Sequence, residues 1–238
     1  MILAALFFGF YLSQINYTFL VLGVTVTVSR AVGQLAAHAS DHLLGEDHDT
    51  GATLRSDARA VDAAYQALVA TALPVHRTPA GSPDEDVSKA LQLASAARYY
   101  SRDLVADTDR ARLPDDGARL DIELATATLG RSLDAIAGGL TGPRDGTYTR
   151  SAALFDQAER SIEDGSDIAS PAQLAIRDLM LIDGTFAELA EALGLTLADY
   201  DTGTVSDNGK ARADIEPAAA TRHVVRLSGR LRSRGGLR

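Results

Sequence analysis

The sequence has no cysteine and no tryptophan, and lysine occurs only twice among its 23 basic residues. Without cysteine there is no disulfide, no thiol nucleophile, no iron–sulfur cluster and no cysteine-ligated zinc. Aromatic residues make up only 5% of the 238 positions while 46% are hydrophobic, so any core has to be assembled from aliphatic side chains. That bias favours helices over a β-sandwich. The length allows one large domain or two small ones. The near-exclusive use of arginine is a compositional mark of GC-rich coding, as in actinobacteria.

A basic surface is missing as well. The net charge is −9, and every acid lies within residues 1–221, whereas residues 222–238 hold six Arg and no acid. Phosphate neutralisation needs a basic face rather than a basic tip, so nucleic acid is not expected as a partner.

Charge of either sign is absent from Met1 to Ser29, a run rich in Leu, Ile, Val and Phe. Ser13, Gln14 and Asn16 interrupt it, leaving residues 1–12 about 18 Å long as a helix, too short to cross a bilayer core of about 30 Å. Residues 17–37 carry one charge, Arg30, and would span about 31 Å. Arg30 lies past the midpoint and can snorkel, which places the C-terminal part on the cytoplasmic side. Residues 1–44 are therefore expected to be a membrane segment, with a partial span at 1–12 and a full span at about 17–37. A secretory signal peptide fits poorly, because the run lacks a basic start and is too long. A hairpin buried in a soluble bundle remains the competing reading.

After a polar patch at residues 38–53, Leu54, Ala58, Val61, Tyr65, Leu68 and Ala72 step by four and three, which is one helix face. Pro74 to Asp86 reads as a loop. Ser82-Pro83-Asp84-Glu85 has the pattern of a capping box, and Val87, Leu91, Ala94 and Leu104 follow on one side. Leu113-Pro114-Asp115-Asp116-Gly117 interrupts again before the stripe Leu129, Leu133, Ile136, Leu140. A shorter helix is expected over Ser151 to Ile162. Ser170-Pro171-Ala172-Gln173 repeats the capping spacing and opens the stripe Ala175, Leu179, Ile182, Phe186, Leu189, Leu193, with Gly194 as the expected terminator. The fold class expected is all-α: a membrane segment, then an up-and-down cytoplasmic bundle over residues 52–196 with coiled-coil-like heptads, able to fold alone. Residues 197–238 read as a disordered linker and tail, where Arg222, Arg226 and Arg230 opposite Val224, Leu227 and Leu231 allow a short basic amphipathic helix.

Little in the chain carries chemistry. His38, His42 and Glu46 at i, i+4 and i+8 have a spacing that can hold a divalent metal, but they also fall where a membrane helix would meet water, and the latter reading is preferred. There is no phosphate-binding glycine loop and no nucleophile elbow. No catalytic, cofactor-binding or metal-binding residue is expected, and no cofactor.

Phe7-Phe8-Gly9-Phe10-Tyr11-Leu12, Asn16-Tyr17 and the aliphatic stretch ending at Ser40-Asp41-His42-Leu43-Leu44 resemble the last membrane region of bacterial fusaric acid resistance (FUSC-like) proteins, a group that includes aromatic-acid exporters. Ala63 to Pro74, Ala97-Arg98-Tyr99-Tyr100, and Ile182-Asp183 to Gly194-Leu195 resemble the helical cytoplasmic region that follows it in actinobacterial members. The resemblance covers most of residues 1–195 and implies an inner-membrane location and efflux of aromatic or other organic acids with no nucleotide cofactor. One departure is clear. The segment Gly45 to Ala52 runs straight into the cytoplasmic pattern, where the family opens a further membrane helix. With one full span the chain cannot enclose a polar path alone, so the bilayer and other membrane subunits, or further copies of the chain, are its expected partners. The alternative is a non-enzymatic soluble α-helical interaction module.

Overall fold

The Ser-Pro-Ala-Gln signal at residues 170–173 does in the structure what its chemistry requires. Ser170 has extended backbone, and its hydroxyl accepts the Gln173 amide at 3.3 Å while Gln173 Oε1 accepts the Ser170 amide at 2.7 Å. Both orphan donors are thereby satisfied, and Pro171 adopts the first helical position, where no amide hydrogen is needed. The helix runs Pro171–Ala192 and ends as the sequence indicates. Gly194 takes φ +77°. Its amide and that of Leu195 bond back to Glu191 and Ala190 at 2.9 Å each, the two crossed bonds of a Schellman motif.

The computed structural model describes residues 25–45, 50–72, 85–111, 113, 117–139, 146–162 and 169–200. In chain order the helices are residues 25–43 (α1), Thr50–Ala72 (α2), Glu85–Thr108 (α3), Arg119–Gly139 (α4), Ala152–Ile162 (α5) and Pro171–Ala192 (α6). Two four-residue strands, Thr147–Arg150 (β1) and Thr196–Asp199 (β2), pair in parallel with Thr147 opposite Thr196 and Arg150 opposite Asp199. The described residues are thus mostly helical, with the character of an all-α bundle. The Ser82-Pro83-Asp84 signal, Leu140, and the tail from Asp201 onward with Arg222, Arg226 and Arg230 lie outside the described residues.

The largest departure from the sequence reading concerns α1. Val28, Val32, Leu35, Ala36, Ala39 and Leu43 are buried in the same apolar core as Leu54, Leu104, Leu129, Phe155 and Leu179, and Leu35 is 0% exposed. A void of about 10 Å³ is lined together by Thr25 and Val28, by Leu68 of α2, Leu93 of α3 and Phe186 of α6, so the first described turn of α1 sits among three other helices. On the α4 side a Cβ at Gly33 would lie 3.5 Å from Leu133. The full span expected at about 17–37 is therefore corrected from residue 25 on: these side chains pack on protein. No helix among the described residues is long and apolar enough to cross a membrane. Apolar periodicity alone could not distinguish the two, because a helix surrounded by other helices and one surrounded by lipid both need apolar side chains on most faces.

Three smaller corrections have physical causes. The polar patch at 38–53 is helical up to Leu43 and again from Thr50, with Ala39 and Leu43 buried while His38, Asp41 and His42 are half-buried. Helix α4 starts ten residues before Leu129, with Ile122 and Ala125 extending the buried stripe. The linker expected from residue 197 instead begins with β2, and its partner β1 delivers Tyr148 into the core. Strands of four residues give too short an alternation to stand out from turn sequence.

Candidate functional site

Three groups of polar side chains stand out, and each follows from helical spacing. On α2 and α3, Asp62 and Tyr65 are one turn apart, as are Arg98 and Arg102, so two adjacent side chains of one helix face two of the other. Arg98 Nε donates to Asp62 Oδ1 at 2.6 Å, and Arg102 Nη2 to Oδ2 at 2.7 Å. The Arg98 guanidinium also lies 5.0 Å from the centroid of the Tyr65 ring. The hydrogen bond from Arg102, aided by Arg98, holds the Asp62 carboxyl below the usual carboxylate range despite its partial burial. Beside this clasp Tyr99 is 62% exposed, and its ring meets that of Tyr100 edge-on at 5.8 Å.

The second group is buried. Asp183 of α6 is 0% exposed, yet both carboxylate oxygens are engaged. The Tyr148 hydroxyl lies 3.0 Å from Oδ1, and the Ser151 amide donates to Oδ2 at 2.9 Å. Ser151 precedes α5, and its carbonyl accepts the amides of Leu154 and Phe155, so Asp183 ties the start of α5 and strand β1 to the middle of α6. Burial pushes the Asp183 carboxyl up, opposed by the bonds from Tyr148 and Ser151. Burial also raises the Tyr148 phenol, and the Asp183 charge adds to that.

The third group is acidic. Asp178, also on α6, is 8% exposed, and its Oδ2 is buried with no hydrogen-bond partner. Burial, followed by the charges of Asp107 and Asp103 on α3, pushes its carboxyl up to about 7.

The histidines expected at the membrane boundary have separate placements. His38 Nδ1 lies 2.6 Å from Asp57 Oδ2, which links α1 to α2. His42 is half-buried, and Glu46 lies outside the described residues. Among the described residues no three His, Cys, Asp or Glu side chains are placed to hold a metal ion.

None of the three groups was named from the sequence, although a signal for two of them was present. Asp178 and Asp183 fall within the apolar stripe of α6, three or four residues from Ala175, Leu179, Ile182 and Phe186, where a carboxylate needs a special reason. The Asp62–Arg98 pair could not be found without knowing that α2 and α3 are neighbours.

Two open clefts lie among the described residues. One of about 350 Å³ lies between α1 and α4 and is lined by Ser29, Arg30, Gly33, Gln34, Gly130 and Asp134, among others. The other, of about 260 Å³, lies where α4 meets the two strands. Comparison with protein-family models, with curated proteins and with solved structures finds no match for this chain.

Proposed function

We propose that the chain is the C-terminal portion of a FUSC-like protein of the bacterial inner membrane, its helical region on the cytoplasmic side, serving efflux of aromatic or other organic acids and doing no covalent chemistry of its own. One observation carries this reading. Ala63–Pro74 and Ala97–Tyr100, two of the segments that carry the resemblance, meet where Arg98 stacks on Tyr65. The same guanidinium binds Asp62, the residue just before the first segment. Segments singled out for likeness alone thus share one contact. Within the third segment, Asp183 anchors β1 and α5.

With α1 inside the bundle from residue 25, contact with lipid falls to the charge-free residues 1–24. One such stretch cannot shield a polar solute from lipid, so other membrane subunits or further copies of the chain close the pathway. The test is alkaline carbonate extraction of membranes from cells expressing the full chain. The chain is expected in the pellet, and its recovery in the supernatant without detergent would overturn the proposal.

The burial of α1 favours a second reading, a soluble non-enzymatic interaction module built around that helix. It requires a monodisperse particle in detergent-free buffer. Aggregation of the full chain that is relieved by deleting residues 1–24 counts against it.

A further inference from the structure

The 260 Å³ cleft where α4 meets the strands is lined by Thr128, Arg131, Ser132, Thr147, Thr149 and Tyr200. Each of these side chains carries an O–H or N–H group, and among the described residues neither a carboxylate nor an aliphatic side chain lines the cleft. We infer that this cleft is a binding site for a phosphate group, either free or as the end of a small phosphorylated molecule.

The cleft is built rather than incidental. Ser132 Oγ donates to the Thr149 carbonyl at 2.8 Å and accepts the Thr149 amide at 3.0 Å, which locks β1 onto α4. Alternation along β1 puts Thr147 and Thr149 on one face while Tyr148 enters the core on the other. Arg131 Nη2 donates to Thr128 Oγ1 at 3.1 Å, and that hydroxyl donates to the Leu124 carbonyl at 2.8 Å. The arginine next along β1 has an acid, Arg150 pairing with Asp199 at 2.8 Å. Arg131 has no carboxylate partner among the described residues, and its single hydrogen bond to an uncharged hydroxyl leaves most of its five donors available.

The donors left for a ligand come from three elements: the Arg131 guanidinium from α4, the Thr147 and Thr149 hydroxyls from β1, and the Tyr200 hydroxyl directly after β2, whereas Thr128 and Ser132 spend their O–H groups on the Leu124 and Thr149 carbonyls. Donors arriving from several sides match the tetrahedral set of acceptors on a phosphate better than the two coplanar oxygens of a carboxylate. A guanidinium supplies the charge-assisted bonds that make such an interaction strong. The volume is just under the range of about 300–1,000 Å³ for small-molecule pockets, which leaves room for a phosphate and a short attached body. This inference does not depend on the membrane reading.

Isothermal titration of the full chain with inorganic phosphate, beside the Arg131→Gln and Thr149→Val variants, tests it. Arg131 is exposed, so the Gln variant should melt as the parent does. Saturable binding is expected that falls about tenfold or more in Arg131→Gln, the loss of a charge-assisted bond, and by less in Thr149→Val. Vesicles of phosphatidic acid and phosphatidylcholine identify the source of the group. Binding to phosphatidic acid that needs Arg131 assigns a lipid headgroup, and competition by inorganic phosphate without vesicle binding assigns a free one. Phosphate or vesicle binding equal in parent and Arg131→Gln would place the interaction elsewhere, for instance on the Arg-rich tail, and would overturn the inference, as would no binding to either.

Discussion

The hydroxyl of Tyr148 lies 3.0 Å from the Asp183 carboxylate, and both side chains are 0% exposed. A strand of four residues is thereby fastened to the middle of the buried stripe of α6. A buried carboxylate is tolerated there because every oxygen has a partner. Replacing Tyr148 by Phe removes one of those partners and strands the charge, so a loss of about 1–3 kcal/mol is expected in urea unfolding. Asp183→Ala should cost at least as much, since it also orphans the Ser151 amide at the start of α5. Unchanged midpoints in both variants would mean that the network is not formed in solution.

Asp178 is the opposite case, a buried acid with an unpartnered oxygen facing the charges of Asp103 and Asp107. Its carboxyl is raised from 3.8 to about 7 in the folded protein, so between those values the folded state binds more protons than the unfolded one. Stability from this group therefore falls as pH rises from about 4 to about 7 and is flat above. Asp178→Asn should remove that slope and be more stable than the parent at pH 8, with the two alike near pH 4. Melting curves across this range check it, and a parent-minus-variant difference that does not change with pH would contradict it.

The clasp between α2 and α3 is partly exposed, so its electrostatic contribution is screened and small. A double-mutant cycle of Tyr65→Leu with Arg98→Met should give a coupling of about 0.5–1 kcal/mol, the scale of a surface cation–π contact. Because the Asp62 carboxyl is lowered, whatever it adds is present above the usual carboxylate range and is lost as pH falls below it. A coupling indistinguishable from zero would show that Arg98 and Tyr65 are adjacent without interacting.

Leu179 and Glu188 test the orientation of α6. Leu179 is fully buried and Glu188 exposed. Leu179→Ala should cost about 2–5 kcal/mol. Glu188→Ala should stay within about 0.5 kcal/mol of the parent. The reverse order in thermal melts would mean that the helix faces the other way.

How far the sequence could be read follows from the range over which each signal acts. The start of α6 at Ser170 and its end at Gly194 were legible because caps are local chemistry, complete within four or five residues. The stripes of α2 and α6 were legible because burial repeats along one helix; Leu54, Val61, Leu68, Leu133, Leu179 and Phe186 are core, while Ala58, Tyr65, Leu91 and Leu193 of the expected stripes are half-buried. Illegible were features that depend on a partner distant in sequence. The pairing of Thr147 with Thr196, the bond of Asp183 to Tyr148 and the encounter of Arg98 with Asp62 each join positions at least thirty residues apart. The surroundings of α1 belong to the same class, since the same side chains suit lipid and protein.

That helix also decides what can fold alone. Val28, Val32, Leu35 and Leu43 are each at most 2% exposed. At roughly 1.5–3 kcal/mol for each large aliphatic side chain, their burial is of the same order as the whole stability of a domain, about 5–15 kcal/mol. The most direct measurement is urea unfolding, followed by circular dichroism, of residues 25–200 beside residues 52–196. The longer chain should unfold in one cooperative transition without detergent, and the shorter should show no cooperative transition. Equal midpoints and slopes for the two would contradict the placement of residues 25–43 inside the helical core.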